Sequence, residues 1–198
     1  MAEYPACALT IGHSNHPIEI LLGLLKGHSV EIVVDTRSQP YSKYSPQFDQ
    51  PALKAALAVQ DIRYLHMGKE LGGRPNGAEF YDTKGHVLYN RVADSSPFQE
   101  GIVRLERGLG QFRVALLCSE ENPAGCHRRL LIGRVLGQHG VAVEHIRGDG
   151  RLQSEADLVR EESGDDGQLS LFEHAAIPQW KSIPSVLPKK RQSSSLPG

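Results

Sequence analysis

The sequence predicts an α/β fold in which a mainly parallel sheet of about five strands is covered by helices on both faces, giving three layers. Short apolar segments alternate with segments of helical periodicity, which is the pattern of repeated β-α units. The strand segments are mostly apolar, as is typical of parallel strands that are buried on both faces. At 198 residues, of which 39% are hydrophobic and 23% charged, the chain is long enough for one such domain and a tail.

The predicted strands and helices alternate along the first three quarters of the chain. Strands are expected at 8–12, 32–34, 62–66, 112–117 and 141–146, and helices at 18–25, 52–59, 98–109 and 126–138. Pro17 and Gly27 stand before and after the first helix, in the positions that these residues favour. The polar stretches 38–50 and 67–97 are expected to be long loops, and loops of the second length are either functional or wrongly assigned.

Composition changes near residue 150 and again near residue 163. We expect residues 1–150 to form the α/β domain and residues 151–162 to form a short helix or linker. Residues 163–198 are rich in Gly, Asp, Ser, Pro and Lys and have little to bury, so the sequence predicts a disordered tail. No internal repeat is apparent.

Charge and cysteine content restrict the classes of function. The formal net charge is -1, so contact with DNA needs a local basic patch or a partner that already holds DNA. Three cysteines, with no signal peptide, do not suggest a disulfide framework. No apolar window is long enough to span a membrane, and a cytoplasmic location is expected. Cys7 is given no functional role.

Polar side chains follow four of the predicted strands at the point where each strand ends. The four clusters are Gly12 to Asn15, Asp35 to Arg37, His66 to Arg74, and Cys118 to Glu120 with Cys126 to Arg129. Ligands of open parallel sheets bind outside the carboxyl ends of the strands, where such clusters meet. The sequence therefore predicts a ligand site at this edge of the sheet.

Candidate roles follow from the chemistry of these side chains. Asp35, Glu120 and His13 are the candidate catalytic residues, as general acids or bases. The candidate ligand- or anion-binding residues are Ser14, Asn15, Arg37, Lys69, Gly72, Gly73, Arg74, Cys126, His127 and Arg128.

Simpler structural roles stay open for several of these residues. His13 and Ser14 could cap the first helix, since Ser and Asn are ordinary N-cap residues. Asp35 and Arg37 could form a structural ion pair between a strand end and a loop, because such pairs also perturb pKa values. Gly72 and Gly73 could serve only a turn.

The segment from Cys118 to Arg129 is the most informative part of the sequence. His127 and Arg128 fall in the first turn of a predicted helix, where two cations oppose the helix dipole unless an anion is present. The same surroundings would lower the pKa of Cys126. A thiolate phosphatase is excluded, because Ala124 and Ile132 stand where its arginine would be.

Zinc is a less favoured alternative for this segment. Cys118, Cys126 and His127, with His13 as a possible fourth donor, could supply ligands for zinc or another divalent metal. Their spacing matches no common structural zinc motif, so no cofactor is predicted. Anion binding by Arg128, with the cysteines buried beside it, is the preferred interpretation.

The four clusters, in this order, resemble the family known as domain of unknown function 488. Its motifs are Thr-Ile-Gly-His-Ser, Asp-x-Arg-x-x-Pro, Leu-Gly-Gly and Cys-x-Glu followed by Cys-His-Arg. They stand here as Thr10 to Ser14, Asp35 to Pro40, Leu71 to Gly73 and Cys118 to Arg128. The resemblance covers roughly residues 8–147, and it implies a shared site without naming a reaction.

The tail contains a second motif. Gln168, Leu169, Ser170, Leu171 and Phe172 resemble the peptide with which bacterial polymerases and repair proteins dock on the DNA sliding clamp. Leu171 and Phe172 would enter an apolar pocket of the clamp while Gln168 fixes the orientation. Alternatively, the peptide forms a small strand or folds back onto the domain. Trp180 and the basic end from 181 to 191 are given no definite role.

Together these features suggest an enzyme of DNA repair or replication, with hydrolase- or glycosidase-like action on nucleic acid, that the clamp recruits to the nucleoid. The rim of the sheet would bind a phosphate-bearing or nucleobase ligand. Two alternatives stay open: an enzyme that acts on a small nucleotide or another anionic metabolite, and a non-enzymatic adaptor that binds a nucleotide or nucleic acid.

Overall fold

The computed structural model describes residues 7–163 and 180–183. Its six strands form a single sheet with the order β3-β2-β4-β1-β5-β6. The strands are β1 Cys7–Gly12, β2 Ile32–Asp35, β3 Arg63–His66, β4 Val114–Cys118, β5 Ala142–Ile146 and β6 Leu152–Ser154. The first five strands run parallel, and β6 pairs antiparallel with β5.

Six α-helices connect or follow these strands in the described residues. They are α1 Ile18–Gly27, α2 Gln50–Val59, α3 Tyr89–Ala93, α4 Ser96–Leu109, α5 Arg134–Gln138 and α6 Glu155–Ser163. Prolines stand in the first turns of α2 and α4, where a backbone N–H would have no hydrogen-bond partner inside the helix. A π-helical turn, Arg128–Gly133, leads into α5, and two short 3₁₀ turns cover Pro46–Phe48 and Ala78–Phe80.

The sheet has one apolar core on each face, as expected for three layers. Alternate residues of the central strands point to opposite faces, so that Leu116 belongs to one core and Leu117 to the other. Leu21 of α1 and Leu53 of α2 pack in the core that contains Leu117. The helices α3, α4 and α5 pack in the other core, and the α/β class with helices on both faces is confirmed.

The structure corrects several details of the prediction. The sheet has six strands rather than about five, because Leu152–Ser154 adds an antiparallel edge strand. The stretch 67–97, expected to be a loop, contains α3 and a 3₁₀ turn, and the stretch 38–50 also contains one. The single helix expected at 126–138 is a π-helical turn followed by the short helix α5.

A short segment near the end of the chain packs against the domain. The amide of Tyr89 donates to the carbonyl of Trp180, and the Trp180 ring nitrogen donates to the carbonyl of Leu130. Lys181 pairs with Leu88 in a β-bridge. Residues 180–183 are therefore packed against the domain, whereas the sequence predicted a disordered tail here. The rest of 164–198 lies outside the described residues.

The order of the strands determines where a ligand site can form. Helices α1 and α2 lie on one face of the sheet, and α3 to α5 lie on the other, so the chain changes face between β3 and β4. β4 lies between β2 and β1, and the loops after these three strands meet at one edge. Among the described helices, none is both long and apolar enough to cross a bilayer.

Candidate functional site

Close contacts of two glycines bring the predicted clusters together. A Cβ atom on Gly12, at the end of β1, would overlap the carbonyl of Glu120 after β4. A Cβ atom on Gly73, in the Leu-Gly-Gly turn, would lie 2.7 Å from the His127 ring. The Arg74 amide also donates to the Ser38 hydroxyl after β2. All four clusters therefore meet at the carboxyl edge of the sheet, as the sequence predicts.

Asp35 and Arg37 form a buried ion pair. The Arg37 guanidinium donates two hydrogen bonds to the Asp35 carboxylate, from Nε at 2.9 Å and from NH2 at 2.6 Å. Arg37 is 5% exposed and Asp35 is fully buried. The Tyr64 hydroxyl donates to the same carboxylate at 2.7 Å, and Arg37 donates to the carbonyl of Phe48. These contacts favour the structural alternative for Asp35 over its candidate role as a catalyst.

His13 completes this network from β1. Its Nε2 atom lies 3.1 Å from Arg37 NH1, and its Nδ1 atom lies 2.7 Å from the carbonyl of Ser14. A neutral ring that donates from Nδ1 and accepts at Nε2 satisfies both contacts. Burial lowers the pKa of His13, and the charge of Arg37 lowers it further against the opposing effect of the Ser14 carbonyl. The ring also stacks on Phe48. We call Asp35, Arg37, Tyr64 and His13 the carboxylate network.

A second group of buried side chains, Cys118, Cys126 and His127, lies beside this network, and we call it the thiol cluster. The Sγ atoms of Cys118 and Cys126 lie 3.6 Å and 3.8 Å from His127 Nδ1. The other ring nitrogen, Nε2, lies 3.2 Å from the carbonyl of Thr36 and donates to it. The sulfur and nitrogen atoms all lie within 4.8 Å of one another. No disulfide joins these two cysteines.

The two cysteines of the thiol cluster have opposite electrostatic properties. A hydrogen bond from Cys126, together with the charges of His127 and Arg128, holds the pKa of Cys118 well below its ordinary value despite burial. Burial and the neighbouring Cys118 raise the pKa of Cys126 well above its ordinary value. Burial disfavours a charged His127, but the charge of Cys118 outweighs it and raises the pKa of His127. The thiolate form is therefore favoured at Cys118 and the thiol form at Cys126.

Arg128 holds the loop after β4 in place. Its NH1 and NH2 groups donate to the backbone carbonyls of Glu120 and Glu121, and the residue is fully buried. These bonds bring the end of β4 close to the π-helical turn that carries Cys126. The Nε atom of Arg128 has no hydrogen-bond partner among the described residues. Arg128, the predicted anion-binding arginine, therefore uses most of its N–H groups in hydrogen bonds to the backbone.

Tyr89, at the start of α3, places a second unpartnered group near the thiol cluster. Its hydroxyl is buried and has no hydrogen-bond partner among the described residues. Burial raises the pKa of Tyr89, and the charges of Cys126, Glu120 and Cys118 raise it further. Buried polar atoms are rarely left without a partner, so such an atom often marks a missing ligand or water.

Glu120 is an exposed carboxylate at the mouth of the thiol cluster. Desolvation and the charge of Cys118 raise the pKa of Glu120. An accessible carboxylate with a raised pKa suits general acid or base chemistry better than Asp35 does. The neighbouring Glu121 is bonded to Arg147 and faces away from this chemistry.

The other predicted ligand-binding residues line the rim. Ser14 adopts a positive φ of 47°, and Asn15 is exposed and accepts a hydrogen bond from Ser45. Lys69 and Arg74 are exposed, whereas Gly72 is buried and packs against the Gly68 carbonyl. The exposed residues are available to a ligand. Their binding roles stay predictions.

Sequence reasoning missed a group of exposed side chains on the loop after β2. Tyr41 is 61% exposed, Tyr44 is 88% exposed, and Lys43 between them is also exposed. The loop contacts the β1 loop through the hydrogen bond from Ser45 to Asn15. The alternation of aromatic residues with a basic residue could have indicated a binding surface on this loop. Tyr89 was also missed, because nothing in the glycine-rich sequence around it indicates a role.

The thiol cluster is the group of described residues best suited to hold a metal ion. Cys118, Cys126 and His127 each offer one ligand atom. His13, considered as a fourth donor, has both ring nitrogens engaged in the carboxylate network. Elsewhere, a cavity of about 760 Å³ lies between the π-helical turn, β5 and Trp180, and it contains none of these groups.

Comparison with known proteins assigns the family. Residues 17–135, more than half of the chain, match the family described as Domain of unknown function DUF488. The match includes three of the four quoted motifs, and Thr10 to Ser14 precedes it. No curated protein and no solved structure matches the chain. The chain therefore belongs to the DUF488 family.

Proposed function

We propose that the chain is a nucleic-acid-processing enzyme of DNA repair or replication. It binds a phosphate-bearing or nucleobase ligand at the carboxyl edge of the sheet, and the sliding clamp recruits it to DNA through residues 168–172. The observation that carries this proposal is the loop after β2, on which exposed Tyr41 and Tyr44 flank Lys43 next to the predicted site.

Exposed aromatic rings beside a cation suit single-stranded nucleic acid. Bases stack on aromatic side chains, and a nearby lysine neutralises the phosphate backbone. Tyr44 is 88% exposed, so its ring has almost no protein contacts to lose when a base stacks on it. Lys69 and Arg74 are exposed on the neighbouring turn and extend the basic surface along the rim. A splayed-out base would then approach the thiol cluster.

Oligonucleotide binding tests this surface. Fluorescence anisotropy with a short single-stranded DNA should show that the Tyr41→Ala/Tyr44→Ala double variant weakens binding at least about tenfold, since each stacked base contributes about 1–3 kcal/mol. Val59→Ala is the matched control, because Val59 is 79% exposed at the end of α2 and should leave affinity unchanged. Equal affinity of the double variant and wild type would remove this support.

Glu120 is the residue on which the enzymatic part of the proposal depends. Its exposed carboxylate reaches the thiol cluster and can accept or deliver a proton at a bound ligand. We expect turnover of damaged or single-stranded DNA to fall at least about a hundredfold in Glu120→Gln. Glu100→Gln, on an exposed face of α4, should retain the wild-type rate. Equal rates in both variants would eliminate Glu120 from catalysis.

The clamp peptide lies outside the described residues, and its support comes from sequence alone. All five positions from Gln168 to Phe172 match the clamp-binding pattern. In a clamp pull-down, much less of the Leu171→Ala/Phe172→Ala variant than of wild type should be captured. The reason is that such apolar anchors carry most of the binding energy in a short-peptide interface. Val186→Ala/Leu187→Ala, which alters apolar residues farther along the same segment, should be captured like wild type. Undiminished capture of the first variant would exclude clamp recruitment.

One observation favours a small nucleotide or another anionic metabolite as the alternative substrate. The net charge is -1, and the guanidinium groups of Arg37 and Arg128 are bonded within the protein. A long phosphate backbone would therefore depend on the exposed cations Lys43, Lys69 and Arg74 at this edge. A mononucleotide that binds as tightly as the oligonucleotide would favour this alternative, and tight binding without turnover would favour an adaptor.

A further inference from the structure

We propose that Cys118, Cys126 and His127 bind a zinc ion whose fourth coordination position is open. These residues come from the end of β4 and from the entry to the π-helical turn, eight and nine residues apart in sequence. Zinc binding is not part of the proposed function, and it can be measured without any substrate.

The distances within the thiol cluster are those of a tetrahedral zinc site. With Zn–S bonds of about 2.3 Å and Zn–N bonds of about 2.05 Å, tetrahedral angles place sulfur and nitrogen ligands about 3.6 Å apart. The Sγ atoms of Cys118 and Cys126 lie 3.6 Å and 3.8 Å from His127 Nδ1. These separations match the spacing of sulfur and nitrogen ligands around one metal ion.

The orientation of His127 also suits a metal ligand. Its Nε2 atom lies 3.2 Å from the Thr36 carbonyl, so the ring donates from Nε2 and leaves the Nδ1 lone pair directed at the two sulfurs. Metal-bound histidines almost always donate the other ring N–H in this way, which fixes the tautomer and the ring orientation. Gly73 packs closely against the same ring, since a Cβ atom there would lie 2.7 Å from it.

Unpartnered polar groups around the cluster point to a missing ligand. The Tyr89 hydroxyl and the Arg128 Nε atom are buried without a hydrogen-bond partner among the described residues. A water molecule or substrate oxygen on the metal would offer the phenol an acceptor.

The donor set predicts the kind of zinc site. Closed structural sites have four protein ligands, whereas sites that activate water have three ligands and one open position. Two cysteines and one histidine, with a glutamate nearby that is not a ligand, is also the arrangement in zinc enzymes that deaminate nucleobases. Here Glu120 would accept one proton from the bound water, which leaves a zinc-bound hydroxide as the nucleophile.

Metal titration of the full chain tests the site. Reduced wild-type protein should bind about one equivalent of zinc, and cobalt in its place should give a thiolate-to-metal charge-transfer band. Cys118→Ser, Cys126→Ser and His127→Gln should each lower the affinity at least about tenfold. Cys7→Ser is the matched control, because Cys7 is outside the cluster and should leave the affinity and the cobalt spectrum unchanged.

Wild-type protein alone can overturn the proposal, so it does not depend on the folding of any variant. A reduced wild type that binds less than about a tenth of an equivalent, or gives no thiolate band with cobalt, has no such site. Glu120→Gln tests the open position. Retained zinc in this variant supports a site with three protein ligands, whereas loss of zinc would make Glu120 a fourth ligand and overturn the open position.

Discussion

The carboxylate network and the thiol cluster lie side by side at one edge of the sheet, yet they differ in how completely their polar groups are bonded. In the carboxylate network, every nitrogen of the Arg37 guanidinium has a partner, and Asp35 accepts bonds from Arg37 and Tyr64. Around the thiol cluster, Tyr89 and Arg128 keep buried donors without a partner among the described residues.

This difference distinguishes residues that hold the fold together from residues that are available to a ligand. A fully bonded buried network rigidifies the fold and offers nothing to a ligand, whereas a partly bonded one is costly unless a further group completes it. We therefore expect the carboxylate network to position the loops, and the thiol cluster with Glu120 to carry the proposed chemistry. Substitutions in the two regions should accordingly have different consequences, and the following predictions use that difference.

The largest expected effect comes from breaking the carboxylate network. Asp35→Ala leaves Arg37 charged, 5% exposed and without its counter-ion, and we expect the free energy of unfolding to fall by about 3–5 kcal/mol. Urea denaturation measures this loss. Asp149→Ala is the control, because its partner Arg151 is 51% exposed and the loss should stay below about 1 kcal/mol. Equal losses in both variants would show that the network is not a scaffold.

A moderate effect is expected where the Leu-Gly-Gly turn meets the thiol cluster. Gly73→Ala places a Cβ atom 2.7 Å from the His127 ring, so we expect a stability loss of about 1–3 kcal/mol and weaker zinc binding as the ring shifts. Gly108→Ala, in α4 with open space around it, should leave stability unchanged or raise it by up to about 1 kcal/mol. Unchanged zinc affinity in Gly73→Ala would mean that this turn does not hold His127.

The smallest expected effect is a pH-dependent loss of stability when Glu121, in the loop after β4, is substituted. Hydrogen bonds from Arg147 lower the pKa of Glu121, against an opposing effect of burial, and the Gly148 amide lowers it further. A carboxyl whose folded pKa is depressed stabilises the fold above its unfolded pKa of about 4.3, and this contribution is lost as the pH falls through the folded value.

Glu121→Gln should therefore lower stability by about 1 kcal/mol at pH 7 and by progressively less in acid. Urea denaturation between pH 3 and pH 7 measures the difference from wild type. Glu100→Gln serves as the control on an exposed helix face and should give a pH profile like that of wild type. A Glu121→Gln defect that grows in acid would contradict the assigned sign.

The sequence was a good guide to the sheet and a poorer guide to its irregular parts. The apolar run at 32–34 became β2, one residue longer, because periodicity and burial agree there. β6 was missed because three residues centred on polar Gln153 carry no apolar pattern. The π-helical turn at Arg128–Gly133 was missed because its apolar spacing still resembles that of an α-helix.

The polar clusters that the sequence predicts do meet at the strand ends, but their hydrogen bonding was beyond sequence reasoning. Which cation bonds to which carbonyl depends on side-chain directions that only the packed loops determine. Arg128 was expected to bind an anion and is instead bonded to two backbone carbonyls. Zinc was disfavoured because the spacing of Cys118 and Cys126 fits no common motif, although their sulfurs converge on one imidazole in three dimensions.

Thermal unfolding with and without zinc tests most directly the division between scaffold and site. Bound zinc should raise the Tm of wild type, since a ligand at one hundred times its Kd adds about 2.7 kcal/mol. Arg37→Lys should have a lower starting Tm and the same increase with zinc, and Cys118→Ser should show a clearly smaller increase. A wild-type Tm that zinc leaves unchanged, or an increase in Cys118→Ser equal to that of wild type, would contradict the account.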